Sequence, residues 1–102
     1  MHVSSDILDS KRRSMLHFAA ASGNLDIYQM IENRVTRKMV ADVNGDFPFH
    51  YAIAYGSVSI LQYMWMNGDD MTIRGSRGMT PLCIACYFGQ KEIVELLLAI
   101  DE

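Results

Sequence analysis

The sequence predicts an all-α solenoid of three helix–turn–helix units, because residues of one type recur every 33 positions. The two prolines, Pro48 and Pro81, are separated by this step. Three further columns, meaning sets of equivalent positions, contain one residue type each: Ala19, Ala52 and Ala85; Gly23, Gly56 and Gly89; Ile27, Ile60 and Ile93. Since glycine makes up about 7% of an average sequence, several such columns with one period do not arise by chance. Repeat arrays act by presenting a surface, so we expect a binding function.

Composition supports one domain over residues 1–102 and argues against several function classes. Half of the 102 residues are hydrophobic, which is enough for the continuous core of a three-unit array. The net charge of −3, from 9 basic and 12 acidic residues, favours neither nucleic acid nor an anionic membrane as a partner. The most hydrophobic stretch, residues 93–100, is too short to span a bilayer, so we expect no membrane insertion.

The N-terminus and the cysteines predict the compartment. Residues 1–6 contain neither the basic region nor the apolar region of a secretory signal peptide. The two cysteines lie three positions apart, which does not make a disulfide framework. We therefore expect a reducing compartment, either the cytosol or the nucleus.

The third unit shows why each repeat should be a pair of helices. Thr80 can cap a first helix through its hydroxyl group, and Pro81 suits the first helical position, where an N–H would have no helical partner. Gly89 can end this helix in a left-handed conformation. Apolar residues at helical spacing predict the buried faces: Leu82, Ala85 and Cys86 in the first helix, and Ile93, Val94, Leu96, Leu97 and Leu98 in the second.

The alanine column and the segments between the helix pairs predict how the units join. Alanine allows two helix backbones to approach closely, where a larger side chain would overpack the contact. Residues 68–75 are rich in glycine and aspartate and suit a projecting hairpin-like turn between units.

Three motifs carry a resemblance to a known family. Thr80-Pro81-Leu82-Cys83 is followed by Ala85 and Gly89, and the related segments at Ser14-Met15-Leu16-His17 and Phe47-Pro48-Phe49-His50 are followed by alanine and glycine at the same spacing. These motifs resemble the Thr-Pro-Leu-His signature of the ankyrin repeat, a family whose sequences recur with the same period. The resemblance covers residues 7–102 and implies repeats at about 10–42, 43–75 and 76–102, with projecting β-turn fingers. It predicts helices near 15–22, 25–33, 48–55, 58–67, 81–88 and 91–100.

The first unit departs from this pattern. Val35 replaces the junction glycine, and Lys38 stands where Met71 is expected to be buried in the next unit. We therefore expect an altered first junction, with Met39 or Val40 in the buried position.

The resemblance implies that a protein or peptide partner binds at the finger tips and on the concave face of the first helices. The predicted partner-binding residues at the finger tips are Lys11, Arg13, Asn44, Asp46, Arg77 and Met79. Those on the concave face are Ser22, Tyr55, Tyr87 and Phe88. Exposed aromatic side chains often dominate interface energies, although Tyr87 and Phe88 could instead cover a neighbouring loop. We expect recognition without catalysis, without a cofactor and without a metal.

Other candidate sites have structural explanations. Cys83 and Cys86 form a C-x-x-C motif that could bind zinc or be redox-active, but no second cysteine pair exists. The repeat pattern instead predicts that both are reduced, metal-free and mostly buried. His17 and His50 occupy one column, which favours a structural role. A basic run before Ser14 could make that residue a kinase site.

Methionine and tryptophan are also expected in the core. Most methionines and Trp65 fall in columns that predict packing, with Met66 and Met79 as the exposed exceptions.

Two questions stay open at this point. The chain could be the targeting or regulatory segment of a larger enzyme, such as an acyltransferase or a kinase. In addition, its last helix is apolar enough that a homodimer or a longer array could cover Leu98 and Ile100.

Overall fold

The computed structural model describes residues 8–100, which form three helix pairs in a row. The α-helices are α1 (Met15–Ala21), α2 (Leu25–Glu32), α3 (Pro48–Ala54), α4 (Val58–Met66), α5 (Pro81–Tyr87) and α6 (Lys91–Ile100). The first helices of the pairs form one layer, in which α3 packs between α1 and α5. The second helices form the other layer, and α2 packs on α4. The described residues contain no β-strand, and the predicted all-α solenoid is confirmed.

Local sequence signals begin and end these helices. Ser14 starts α1 with a capping box, in which its side chain accepts from the His17 N–H while the His17 ring accepts from the Ser14 N–H. Thr80 caps α5 in a similar way through the N–H of Cys83. After the first helix of each pair the glycine column turns the chain, with φ between 68° and 76° at Gly23, Gly56 and Gly89. Glycine adopts this left-handed conformation without steric cost.

The core lies between the two layers and runs through all three units. Its fully buried side chains come from the alanine and isoleucine columns and their neighbours: Ala20, Ala52, Ile53, Ile60, Leu61, Ala85 and Ile93. Each fully buried isoleucine or leucine among them contributes about 1.5–3 kcal/mol relative to exposure. The units therefore share one core, and none of them buries its apolar residues alone.

Three fingers project from the array, one before each helix pair. We define finger 1 as residues 9–13, finger 2 as residues 42–46 and finger 3 as residues 75–79. Each is closed by a backbone hydrogen bond from its first to its last residue, at 3.0, 2.8 and 2.9 Å respectively. Finger 3 contains the short 3-10 helix Ser76–Gly78. The closing bonds join equivalent positions of the three units, so the fingers follow the same period as the helices.

Several predicted core positions are exposed. The prediction that Cys83 and Cys86 are mostly buried is wrong, since both thiols are free and exposed. Their columns are filled by buried His17 and Ala20 in the first unit, but no further unit packs against α5 in the described chain. The sequence thus has a core-type residue at these two positions although, within the described residues, no neighbouring unit buries it.

The predictions for the methionines and Trp65 hold only in part, since Met64 is buried and Met71 packs against the core but other predicted core positions are exposed. Met30, Met39 and Trp65 are exposed, because the outer faces of α2 and α4 and the junction after α2 point to solvent. Met66 is exposed as predicted, whereas Met79 is half-buried. At the first junction Val40 takes the half-buried position, and Lys38 lies 3.8 Å from the Glu32 carboxylate.

The last helix is amphipathic in its packing. Ile93 and Leu97 are buried against α5, whereas Leu98 is 50% exposed. The dimer or longer array suggested for this face stays a prediction. The outer bounds of the predicted domain, residues 1 and 102, lie outside the described residues.

Candidate functional site

A groove of about 420 Å³ lies between fingers 2 and 3 and the ends of α3 and α5. Its lining combines finger residues with side chains of the first helices: Asp42, Asn44, Asp46, His50, Tyr51, Ala54, Tyr55, Ser76, Arg77, Met79, Ile84, Tyr87 and Phe88. The groove lies on the concave face, where the fingers meet these helices. Clefts that combine aromatic walls with a few polar groups are the usual form of binding sites.

Three aromatic side chains form the wall of the groove. Tyr55, Tyr87 and Phe88 are 64%, 66% and 54% exposed. The rings of Tyr87 and Phe88 stack on each other with centroids 5.1 Å apart, and Tyr55 lies 6.1 Å from Tyr51. More than half of each of these residues is open to solvent. Together they present a large apolar area to solvent.

Asp42 builds finger 2 and the floor of the groove. One carboxylate oxygen, Oδ1, accepts from the N–H groups of Asn44 and Asp46, each at 2.9 Å. The other, Oδ2, accepts from the Tyr51 hydroxyl at 2.7 Å. Burial acts to raise the pKa of Asp42, but the hydrogen bonds from Tyr51 and the two N–H groups outweigh it and lower the pKa. Burial and the same hydrogen bond to Asp42 raise the pKa of Tyr51.

Asp46 joins fingers 2 and 3. Its Oδ1 accepts from the Ser76 N–H at 2.7 Å. A Cβ atom at Gly75 would collide with this same oxygen, so the absence of a side chain at Gly75 allows the two fingers to approach. A backbone N–H of finger 3 therefore donates to a carboxylate of the preceding finger. In fingers 1 and 2 the backbone N–H groups donate instead to an aspartate of the same finger, Asp9 or Asp42.

Two buried histidines tie the first and second helix pairs to the segment that follows each pair in the chain. His50 Nδ1 accepts from the N–H of Phe47 at 2.9 Å, which places the ring proton on Nε2 in this network. Nε2 then donates to the Ile73 carbonyl at 2.8 Å. His17 makes a similar bond, to the Asp46 carbonyl at the end of finger 2, also at 2.8 Å. The histidines thus have the structural role that their shared column indicates.

The structure brings seven of the ten predicted partner-binding residues to one groove. Those in the lining are Asn44, Asp46, Tyr55, Arg77, Met79, Tyr87 and Phe88. Ser22 lies outside it, at the end of α1, where its hydroxyl donates to the Ala19 carbonyl at 2.6 Å. Arg13 also lies outside the groove. Its guanidinium pairs with Asp9 at 2.8 Å and lies over the ring of Phe18. Lys11 is on finger 1, and its carbonyl accepts from the Val43 N–H of finger 2 at 2.9 Å.

Sequence reasoning missed Asp42 and Tyr51. The signal for Asp42 was present, since Asp9 occupies the equivalent position of the preceding repeat and aspartate favours turns of this kind. Tyr51 gave no signal, because its equivalents Phe18 and Ile84 carry no hydroxyl group.

A second cavity, of about 600 Å³, lies between α2, α4 and the start of α3. Tyr63 and Glu32 are among the residues that line it, and the Tyr63 hydroxyl donates a hydrogen bond of 2.6 Å to the Glu32 carboxylate. Burial and the nearby charge of Glu32 raise the pKa of Asp69 at its edge.

Within residues 8–100, no cluster of three or more histidine, cysteine or acidic side chains is arranged to hold a metal ion. None of the helices in this range has the length and hydrophobicity required to cross a bilayer.

Comparison with known proteins places the sequence of this chain in a family. A family model described as ankyrin repeats (3 copies) matches residues 16–102. The chain belongs to the ankyrin-repeat family. Ankyrin repeats are protein–protein interaction modules, and the groove lies on the face that joins the fingers to the first helices of this ankyrin array.

Three curated relatives are each longer than this chain. The chain is 34% identical over 98 residues to ankyrin repeat domain-containing protein 46 of Rattus norvegicus, covering 95% of this chain and 42% of the relative. It is 30% identical over 90 residues to 26S proteasome non-ATPase regulatory subunit 10 of Dictyostelium discoideum, covering 87% and 39% respectively. A probable E3 ubiquitin-protein ligase, XBOS32, of Oryza sativa subsp. japonica matches 54 residues at 37% identity, which is 53% of this chain and 11% of the relative. The chain thus spans about two fifths of the length of the first two.

Proposed function

We propose that this ankyrin array binds a protein or peptide segment in the groove between fingers 2 and 3 and the ends of α3 and α5, without catalysing a reaction. The observation that carries the proposal is the exposure of Tyr55, Tyr87 and Phe88 together along one concave wall. Aromatic side chains in a concave site are the residues most often found as binding hot spots. Burying two of them would supply several kcal/mol of favourable transfer free energy before the costs of association.

The rigidity of the groove supports the same function. Asp42 fixes finger 2 through three hydrogen bonds, and Asp46 fixes finger 3 to finger 2 through the Ser76 N–H. A site whose backbone is already held in place loses less conformational entropy when a partner binds. The groove therefore has the preorganised frame that recognition of an extended segment requires.

The experiment is a quantitative pull-down with three forms of the chain. The wild type, the double variant Tyr87→Ala/Phe88→Ala and a control double variant Trp65→Ala/Met66→Ala are immobilised at equal density. The control removes two exposed large side chains from α4, outside the groove. Bound proteins are identified by mass spectrometry, and the affinity of each partner for the three forms is then measured with purified components.

The expected result is that the groove variant weakens partner binding by a few kcal/mol while the control retains it. Circular dichroism and urea unfolding establish that both variants stay folded. Equal affinity of the folded groove variant and the wild type would contradict the proposal.

A second role is favoured by the coverage of the relatives. Because the chain spans about two fifths of two relatives and a ninth of the named ubiquitin ligase, we propose as the alternative that the array is the recognition segment of a longer protein, with other activities elsewhere in that protein. Intact mass of the native protein from its own cells distinguishes the two roles. A mass of 11.6 kDa would rule out the alternative.

A further inference from the structure

Basic side chains on the fingers are exposed without an ion pair at three positions, whereas the acidic side chains form hydrogen bonds within the array. Lys11, Arg12 and Arg77 are exposed, and none of the three forms an ion pair within residues 8–100. They lie on fingers 1 and 3, on either side of finger 2. Their charges are therefore open to solvent along the row of fingers.

The acidic side chains of the same fingers are used internally. Asp9 accepts from the N–H groups of Lys11 and Arg13 and pairs with the Arg13 guanidinium. Asp42 is buried, with both of its oxygens occupied by the bonds described above. Asp46 is half-buried and holds finger 3. The fingers thus present mainly positive charge, although the whole chain carries −3.

We propose that the segment recognised by the groove is acidic, with carboxylate side chains facing Lys11, Arg12 and Arg77 and an apolar side chain against Tyr87 and Phe88. This inference rests on the proposed function. Exposed ion pairs each add little affinity, so their effect is mainly to select the partner and to speed its association. A nucleic acid is disfavoured, because three cations without an ion pair on the described fingers, in a chain with net negative charge, are a small footprint for a polyphosphate.

The spacing of the fingers sets the length of the segment. Helices pack about 8–10 Å apart, so fingers 1 and 3 are separated by roughly 20 Å. An extended peptide rises about 3.3 Å per residue and therefore needs about six residues to span this distance. The fingers form a continuous row, because backbone and side-chain bonds join finger 1 to finger 2 and finger 2 to finger 3.

The test is selection from a displayed library of random ten-residue peptides on the 102-residue chain. Parallel selections use the groove variant Tyr87→Ala/Phe88→Ala and a charge variant, Lys11→Gln/Arg12→Asn/Arg77→Asn. Asparagine suits positions 12 and 77, where φ is 62° and 59°. A matched control, Arg34→Gln/Arg37→Gln/Lys91→Gln, removes the same charge at exposed positions away from the fingers.

The expected result is enrichment of peptides with net charge of about −2 or lower. The charge variant should bind them about tenfold more weakly than the wild type in low salt, and the difference should shrink in about 500 mM salt. The control variant should bind as the wild type does.

Three outcomes would overturn the inference. Enrichment of neutral or basic peptides that need Tyr87 and Phe88 refutes the acidic partner and leaves the proposed function standing. Absence of any peptide that distinguishes the wild type from the groove variant refutes the proposed function, and this inference with it. Tight binding of a twelve-nucleotide single strand that competes with the acidic peptides, and that does not need the two aromatic rings, would show that the tips bind polyanions in general.

Discussion

Replacing His50 by alanine is expected to destabilise the array by about 3 kcal/mol. The change removes the hydrogen bonds from the Phe47 N–H and to the Ile73 carbonyl, each worth about 1 kcal/mol net. It also removes ring contacts with Phe47 and Phe49, whose centroids lie 5.8 and 5.2 Å away, at about 0.5–1.5 kcal/mol. Small domains have total stabilities of about 5–15 kcal/mol, so the loss is a large share.

Urea unfolding followed by circular dichroism measures this loss. With a slope of about 1–3 kcal/mol per molar urea, the midpoint should fall by about 1–3 M. Cys83→Ala is the matched control, because Cys83 occupies the same column but is exposed and has no following finger within the described residues. It should change stability by less than about 0.5 kcal/mol. Equal midpoint shifts for the two variants would refute the role assigned to the histidine link.

Three further predictions follow from the fingers and α5. Arg12→Gly should raise stability by about 0.5–1 kcal/mol in thermal unfolding, because Arg12 has φ of 62° where the other fingers have glycine; a lower melting temperature would contradict this. Because the folded state lowers the pKa of Asp42, its contribution is present above the unfolded pKa of about 3.9 and is lost as the pH falls through the folded pKa. Asp42→Asn should therefore show a weaker acid-induced loss of stability than the wild type, and parallel pH profiles would exclude the effect. Cys83 and Cys86 should both react with a thiol reagent within minutes without denaturant, since both are exposed, and protection of either would contradict their placement.

The repeat period predicted the helices closely. Every predicted helix start coincides with the structure, and the first five helices end one residue earlier than expected. Prediction succeeded here because capping residues, helix-starting prolines and turn glycines act locally, within a few residues of the helix end. The aromatic residues of the groove were also visible in the sequence, because Tyr55 and Phe88 share a column on the concave side.

Burial at the ends of the array could not be predicted in the same way. A column indicates which residue type fits a position, but burial depends on a neighbouring unit. Ile60 and Ile93 are fully buried, whereas Ile27 in the same column is 43% exposed, since no earlier helix pair packs on α2 in the described chain. Cys83 and Cys86 fail for the same reason at the other end. The bond from Tyr51 to Asp42 and the bond from Ser76 to Asp46 were also beyond sequence reasoning. The first repeat offers no equivalent, because Phe18 stands at the Tyr51 position and Arg13 at the Asp46 position.

The histidine links show that fingers 2 and 3 are each anchored to the helix pair that precedes them in the chain. His17 holds the carbonyl of Asp46, and His50 holds that of Ile73, just before finger 3. Asp46 adds a second anchor through Ser76. Opening of α5 and α6 would therefore leave finger 3 docked on the second unit. Two intact helix pairs are enough to hold all three fingers, so the row of fingers can persist when the third unit unfolds locally.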